Sequence, residues 1–190
     1  MAQTSNDYIR LAADLQSDSI VDGPGLRTVI WTQGCSHHCK DCQNPQTWDF
    51  EGGGLVPIDE VLNAIDELEY QTGITFSGGD PMYQPAACNK IAKYCRELGY
   101  NIWVYTGFTF EELIRLSKTK PIYKEFLSNI DVLVDGPFKV EERDLSLLFR
   151  GSRNQRLIDI PKTLEAGKIV LLDEHVYNEE KMFERAPMFV

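Results

Sequence analysis

Three of the five cysteines, Cys35, Cys39 and Cys42, stand within eight residues as C-x3-C-x2-C in the segment GCSHHCKDCQNP. Thiolates are ligands for zinc or for iron–sulfur clusters. The N-terminus MAQTSNDYIR has no apolar run of the kind that directs export, so the chain is expected to be cytoplasmic. A reducing compartment disfavours structural disulfides and points these thiols toward metal or catalysis. A closed zinc site wants four ligands, usually as two separated pairs. No second pair exists here, although His37 or His38 could supply a fourth ligand from inside the same tight loop. A cubane held by three cysteines leaves one iron without a protein ligand, open to an exogenous chelator, by the logic that separates catalytic from structural metal sites. The spacing favours the cluster over zinc, and zinc over unliganded thiols, with all three readings still open. Cys88 and Cys95 lie seven apart in a helical pattern, about 10 Å along the axis, too far for a disulfide within one helix. They are read as small core residues.

Several other groups could join this chemistry. Gly78-Gly79-Asp80-Pro81 taken alone is a turn, as is Val21-Asp22-Gly23-Pro24-Gly25. Tyr105 and Thr106 close one apolar run and Asp135 closes another, where Asp135 either faces a charged ligand or caps a helix or turn. Arg143, Arg150, Arg153 and Arg156 are the one basic concentration in an acidic chain. They form either a solvated loop or an anchor for carboxylates, which suit the guanidinium fork. Asn44 and Trp48 follow the third cysteine and either pack over the bound group or anchor the loop. His37 and His38 are read as polar loop residues rather than ligands.

These residues need a frame. Short apolar, β-branched runs recur at 28–32, 74–77, 101–105, 131–135, 156–160 and 168–172, as strands covered on both faces should. Helical stripes fill the gaps: Ile58, Val61, Leu62, Ile65 and Leu68 behind Pro57, then Ala87, Cys88, Ile91, Ala92, Cys95 and Leu98 ahead of Gly99. Thr109 with Glu112 makes a capping box. Strands alternating with helices predict an α/β fold with five or six mainly parallel strands in an open sheet or partial barrel. Ligands of such folds gather at the carboxyl ends of the strands, where the cysteine triplet, the Gly-Gly-Asp-Pro turn, Thr106 and Asp135 would meet. The 190 residues, 43% hydrophobic and 25% charged, suit one soluble domain spanning 1–190, with an N-terminal extension to about residue 17 and a C-terminal tail from about 173. A net charge of −10 argues against nucleic acid as partner, and no apolar stretch is long enough for a membrane span.

The cysteine loop after the first expected strand, with SGGDP after the second, resembles the radical S-adenosylmethionine superfamily. Within it, residues 20–50 (IVDGPGLRTVIWTQGCSHHCKDCQNPQTWDF) are similar to the glycyl-radical-enzyme activases. ITFSGGDPM, DVLVDGPF and FRGSRNQRLID look most like the branch that activates anaerobic ribonucleoside-triphosphate reductase. The resemblance implies a partial (β/α) barrel and a [4Fe–4S] cluster on Cys35, Cys39 and Cys42. It also implies S-adenosylmethionine at the open iron, cleaved reductively to a 5′-deoxyadenosyl radical that takes hydrogen from a glycine. Gly78, Gly79 and Asp80 would then approach the cofactor, the carboxylate accepting from its ammonium group, with Thr106 and Asp135 nearby. Asp41 stands where many members carry an aromatic residue on the adenine, so that contact is unassigned. The implied partners are the large subunit of an anaerobic ribonucleotide reductase and a flavodoxin-type reductant. Another glycyl-radical enzyme of the pyruvate formate-lyase type, or a small-molecule substrate, is the alternative.

Overall fold

The computed structural model describes residues 7–173. Its strands in chain order are β1 (Tyr8–Leu11), β2 (Gln16–Ser19), β3 (Arg27–Thr32), β4 (Gly54–Pro57), β5 (Gly73–Gly78), β6 (Asn101–Tyr105), β7 (Val132–Asp135) and β8 (Arg156–Asp159). Five helices accompany them: α1 (Ile58–Asp66), α2 (Pro85–Glu97), α3 (Phe110–Ser117), α4 (Ile122–Leu127) and α5 (Ile160–Ala166). The strands form one mixed sheet in the order β4-β1-β3-β5-β6-β7-β8, with β2 also on β3. Its centre is the parallel block β3-β5-β6-β7, in which every crossover carries helix, as parallel pairing requires. No helix among the described residues is long and apolar enough to cross a membrane.

The α/β class and the parallel centre match the expectation, while the strand count and edges differ from it. The sheet has eight strands rather than five or six, and its outer strands are antiparallel. The expected N-terminal extension, to about residue 17, supplies β1 and the start of β2. Leu11 pairs with Thr32, while Gln16 and Ser19 pair with Val29 and Arg27, so the two are halves of one strand interrupted at 12–15. Their polar, exposed edge left no alternation to read in QSDS. The strand at 156 returns antiparallel because the connection from β7 holds no α-helix to carry it across. At 168–172 there is only an isolated bridge, Ile158 to Leu171. Most of the expected C-terminal tail falls outside the described residues.

Alternation along the strands sorts the core. Ile102 and Val104 of β6 face the helices, in a cluster that includes Ile30, Ile74, Phe76, Ile91 and Phe126, with Cys88 and Cys95 buried in it as small core residues. Trp103 faces the other way, where Val132, Val134 and Leu157 join it and Phe149 stacks edge-on at 5.3 Å. The capping box at α3 is present in full, Thr109 accepting from the Glu112 N–H and Glu112 from that of Thr109.

At the amino ends of the parallel strands lies a buried cation. Arg27 is 1% exposed, and its guanidinium donates to Thr75 Oγ1 (2.7 Å), to the carbonyls of Pro24 (3.2 Å), Ile74 (2.8 Å) and Asn101 (2.9 Å), and to Asn101 Oδ1 (3.1 Å). It lies 5.6 Å from the Trp103 ring centre, within cation–π range. The Asp22-Gly23-Pro24-Gly25 turn is thereby fastened to this end of the sheet, opposite the cysteine loop. The antiparallel register of β8 sets Arg156 against Asp135, the last residue of β7. Arg27→Met strands buried carbonyls and should cost about 3 kcal/mol of unfolding free energy, measured by denaturant titration. Arg156→Ala removes the partner of a buried carboxylate and should cost about 2 kcal/mol in the same assay, a figure held down by the partial exposure of the arginine.

Candidate functional site

Four strand ends converge at the opposite edge. Thr32 leads into the cysteine loop, Gly78 into Gly79-Asp80-Pro81, Tyr105 into Thr106-Gly107, and Asp135 into Gly136-Pro137. The cysteine loop is pinned at its base, the Gly34 N–H donating to the Thr47 carbonyl (2.8 Å) and the Cys35 N–H to that of Trp48 (3.1 Å). Trp48 thus anchors the loop and packs edge-on to His38, ring centres 4.7 Å apart. Asn44 anchors it too, its carbonyl accepting from Thr47 N (3.0 Å) and Thr47 Oγ1 (2.7 Å).

The Gly-Gly pair lets this loop and the β5 loop touch. Gly78 has φ +102°, and a Cβ there would stand 2.5 Å from the Thr32 carbonyl oxygen; at Gly79 it would stand 2.6 Å from that of Gly34. The close approach that glycine permits here is backbone to backbone within the chain. The Gly79 N–H donates to Thr32 O (2.7 Å) and the Asp80 N–H to Gly34 O (3.0 Å), sealing the contact.

Burial pushes the Cys35 thiol up to about 11, with Asp80, Cys39 and Cys42 adding to the effect and the His37 N–H opposing it. Burial also raises Cys39, against which the Phe138 N–H acts. Asn44 N–H lies 3.4 Å from Cys42 Sγ. Cys42 thus meets a main-chain N–H within hydrogen-bond distance, and main-chain amides oppose the upward shift at Cys35 and Cys39. No three His, Cys, Asp or Glu side chains among the described residues converge on a single ion. A cubane does not ask for that, since each thiolate takes its own iron, and the donor set fits such a cluster.

Beside the loop opens a cavity of about 800 Å³, within the roughly 300–1,000 Å³ range of ligand sites. Its walls include His37, Tyr83, Phe108, Asp135, Asn154 and Arg156. Tyr83 packs 5.2 Å from Phe50 and 5.4 Å from Phe108, ring centre to centre, and its hydroxyl is bonded to Ser36. Arg156 is held from below by Asp135, with Nε 2.9 Å from Oδ1, and from outside by Glu111 at 3.0 and 2.7 Å. This locks one wall and draws the Glu111 carboxyl below its usual range.

Of the six residues expected to touch a cofactor, Asp135 alone lines this cavity, and its carboxylate is taken. It accepts from the Phe110 N–H at the start of α3 (2.7 Å) as well as from Arg156, which is the capping role. Asp80, 1% exposed, accepts from Met82 N, Thr106 Oγ1, Gly107 N and His37 Nε2, each at 2.9 Å. Thr106 is spent on the same carboxylate and on the Phe108 N–H (3.1 Å). Asp41 is exposed on a left-handed turn, φ 55°. Arg153 pairs with Asp144. The sequence reading left out Tyr83, Phe108, Glu111 and Asn154 and set His37 aside as a loop residue; nothing in their spacing marks them. Only the fold makes them neighbours.

The 4Fe-4S single cluster domain family matches residues 21–158. The anaerobic ribonucleoside-triphosphate reductase-activating protein of Pasteurella multocida (strain Pm70) is 34% identical over 147 residues, 72% of this chain and 89% of that protein. Its namesake in Escherichia coli (strain K12) is 34% identical over 145 residues, covering 72% and 90%. That of Enterobacteria phage T4 is 35% identical over 144 residues, covering 72% and 86%. The crystal structure of QueE from Escherichia coli overlays with a TM-score of 0.44 at 15% identity, covering 54% of this chain and 53% of that one, a likeness too loose to add to the topology. With its cysteine loop inside the matched span and its relatives alike over nearly their whole length, the chain belongs to the 4Fe-4S single cluster domain family and, within it, to the anaerobic ribonucleoside-triphosphate reductase-activating proteins.

Proposed function

We propose that this protein is the activase of an anaerobic ribonucleoside-triphosphate reductase, working as a radical S-adenosylmethionine enzyme. The observation that carries the reading is the donor set at the rim: three thiols on one loop, with the Asn44 N–H 3.4 Å from Cys42 Sγ, beside a cavity of about 800 Å³. Cys35, Cys39 and Cys42 are the cluster ligands in this reading, and the cavity takes the S-adenosyl cofactor. When bound, the two groups supply a reductive cleavage whose radical product abstracts hydrogen from a backbone glycine of the reductase large subunit.

The chain's own residues bind, orient and shield. Gly78 and Gly79 hold the two loops against each other, so that the β5 loop stays beside the cysteines. Phe50, Tyr83 and Phe108 make an aromatic wall beside the loop, and low polarity around a cluster would tune its potential. Arg156, fixed between Asp135 and Glu111, keeps the far wall in place. No side chain is asked to act as a general base, since the chemistry belongs to the cofactor. The reading further takes the sheet as an open partial (β/α) barrel, residues 1–190 as one domain, a flavodoxin-type protein as reductant and the cytoplasm as location. Gly78, Gly79, Asp80, Thr106, Asp135 and Asp41 remain the positions from which cofactor contacts are proposed, Asp41 with no adenine contact assigned to it.

The test is anaerobic. Protein reconstituted with iron and sulfide and then reduced should give a cluster signal in EPR that changes on addition of S-adenosylmethionine. Cys39→Ala should reduce 5′-deoxyadenosine formation to background, and retention of full cleavage would overturn the assignment. Mixed with the reductase large subunit, the wild-type protein should raise a glycyl radical on that subunit; a radical raised instead on another glycyl-radical enzyme would change the partner.

A further inference from the structure

We infer that His37 is a positioning residue, a latch whose hydrogen bond to Asp80 fastens the cysteine loop to the rim of the sheet; its relevance to the cluster rests on the reading just given. His37 and His38 are adjacent between Cys35 and Cys39, yet the fold treats them differently. His38 is exposed, with φ 47°, and leans on Trp48. His37 turns inward, its side chain 19% exposed, with Nε2 2.9 Å from Asp80 Oδ2. A carboxylate accepts, so Nε2 carries the hydrogen.

The imidazole sits in a box made for it. It packs edge-on to Phe108 with ring centres 4.7 Å apart, and Tyr83 stands 6.0 Å away. A Cβ at Gly107 would come within 2.4 Å of the ring, so glycine is what leaves room. The other end of the latch does not move. The Asp80 carboxylate is held by Met82 N, Thr106 Oγ1 and Gly107 N, groups from the ends of two neighbouring strands. Between Cys35 and Cys39 the loop thus gains a rigid foothold on β5 and β6 through one side chain two residues from each of those cysteines. The bond acts on the loop and touches no sulfur. Groups that orient ligands in this way typically change metal affinity by about 10–100-fold when removed.

Two measurements test the latch. Cys35 is 8% exposed, so in protein kept free of iron iodoacetamide should reach it only when the loop opens. Its alkylation rate, followed by mass spectrometry and divided by the rate in urea-unfolded protein, should rise about 10-fold or more in His37→Ala. His37→Gln, whose amide N–H can reach the carboxylate, should stay near wild type. His37→Phe refills the box without a donor and should behave like His37→Ala, which keeps the test alive if the alanine variant fails to fold by circular dichroism. In reconstituted protein, loss of the cluster's visible absorbance to a chelator should quicken by about 10–100-fold in His37→Ala and His37→Phe and recover in His37→Gln. Unchanged alkylation in the donor-less variants would overturn the latch, whatever the cluster does. A wild-type protein that takes up no cluster would instead defeat the activase reading, leaving the alkylation result to decide the latch alone.

Discussion

A carboxylate removed from water must recover its hydration from protein donors, and at 1% exposure Asp80 has to find all of them within the fold. It does so across three segments: Met82 two residues on, Thr106 and Gly107 at the end of β6, and His37 in the cysteine loop. Asp80 is extended, φ −142° and ψ 116°, and Pro81 after it opens a 3-10 turn, so the side chain folds back over its own following amide. From there it reaches sideways across the sheet. The rim depends on this one group, because satisfying it requires three loops to be in register at once.

The two ends of the parallel block use opposite charges for the same purpose. At the amino ends Arg27, a buried cation, gathers carbonyl and hydroxyl oxygens from the Pro24 turn, β5 and β6. At the carboxyl ends Asp80 gathers N–H and O–H donors from the corresponding loops. Each is a buried charge bonded to several groups of the chain, which holds neighbouring strands at fixed height. Asp135 repeats the device one strand further out, binding the first amide of α3 and Arg156 of β8.

The parallel centre was legible because burial on both faces forces continuous apolar runs, as in TVIWT and NIWVY, and because the helical stripes between them are long. The edges were not. QSDS in β2 carries no apolar alternation since three of its four residues face solvent, and the direction of β8 depends on what the connection lacks, an α-helix, rather than on what RLID contains. KIVLL is apolar enough for a strand, but only Leu171 pairs. In the site, the spacing of Cys35, Cys39 and Cys42 was plain because metal ligation restricts residue type. The inward bonds of Asp80 and Thr106 were not legible, because their positions at strand ends are the same whether a side chain faces a ligand or bonds inward. The inward bond of His37 could not be read from the loop, because its partner Asp80 lies 43 residues away.

The site is also assembled from widely separated stretches of chain, and this sets an order of events on the ribosome. A nascent chain that has just released Cys42 holds all three loop thiols but neither Asp80 nor Gly107, and the Phe138 amide that opposes the upward shift at Cys39 is further off. Arg156, which locks the far wall, comes later still. The full set of contacts that fixes the loop and the far wall is therefore available only to a chain synthesised past Arg156.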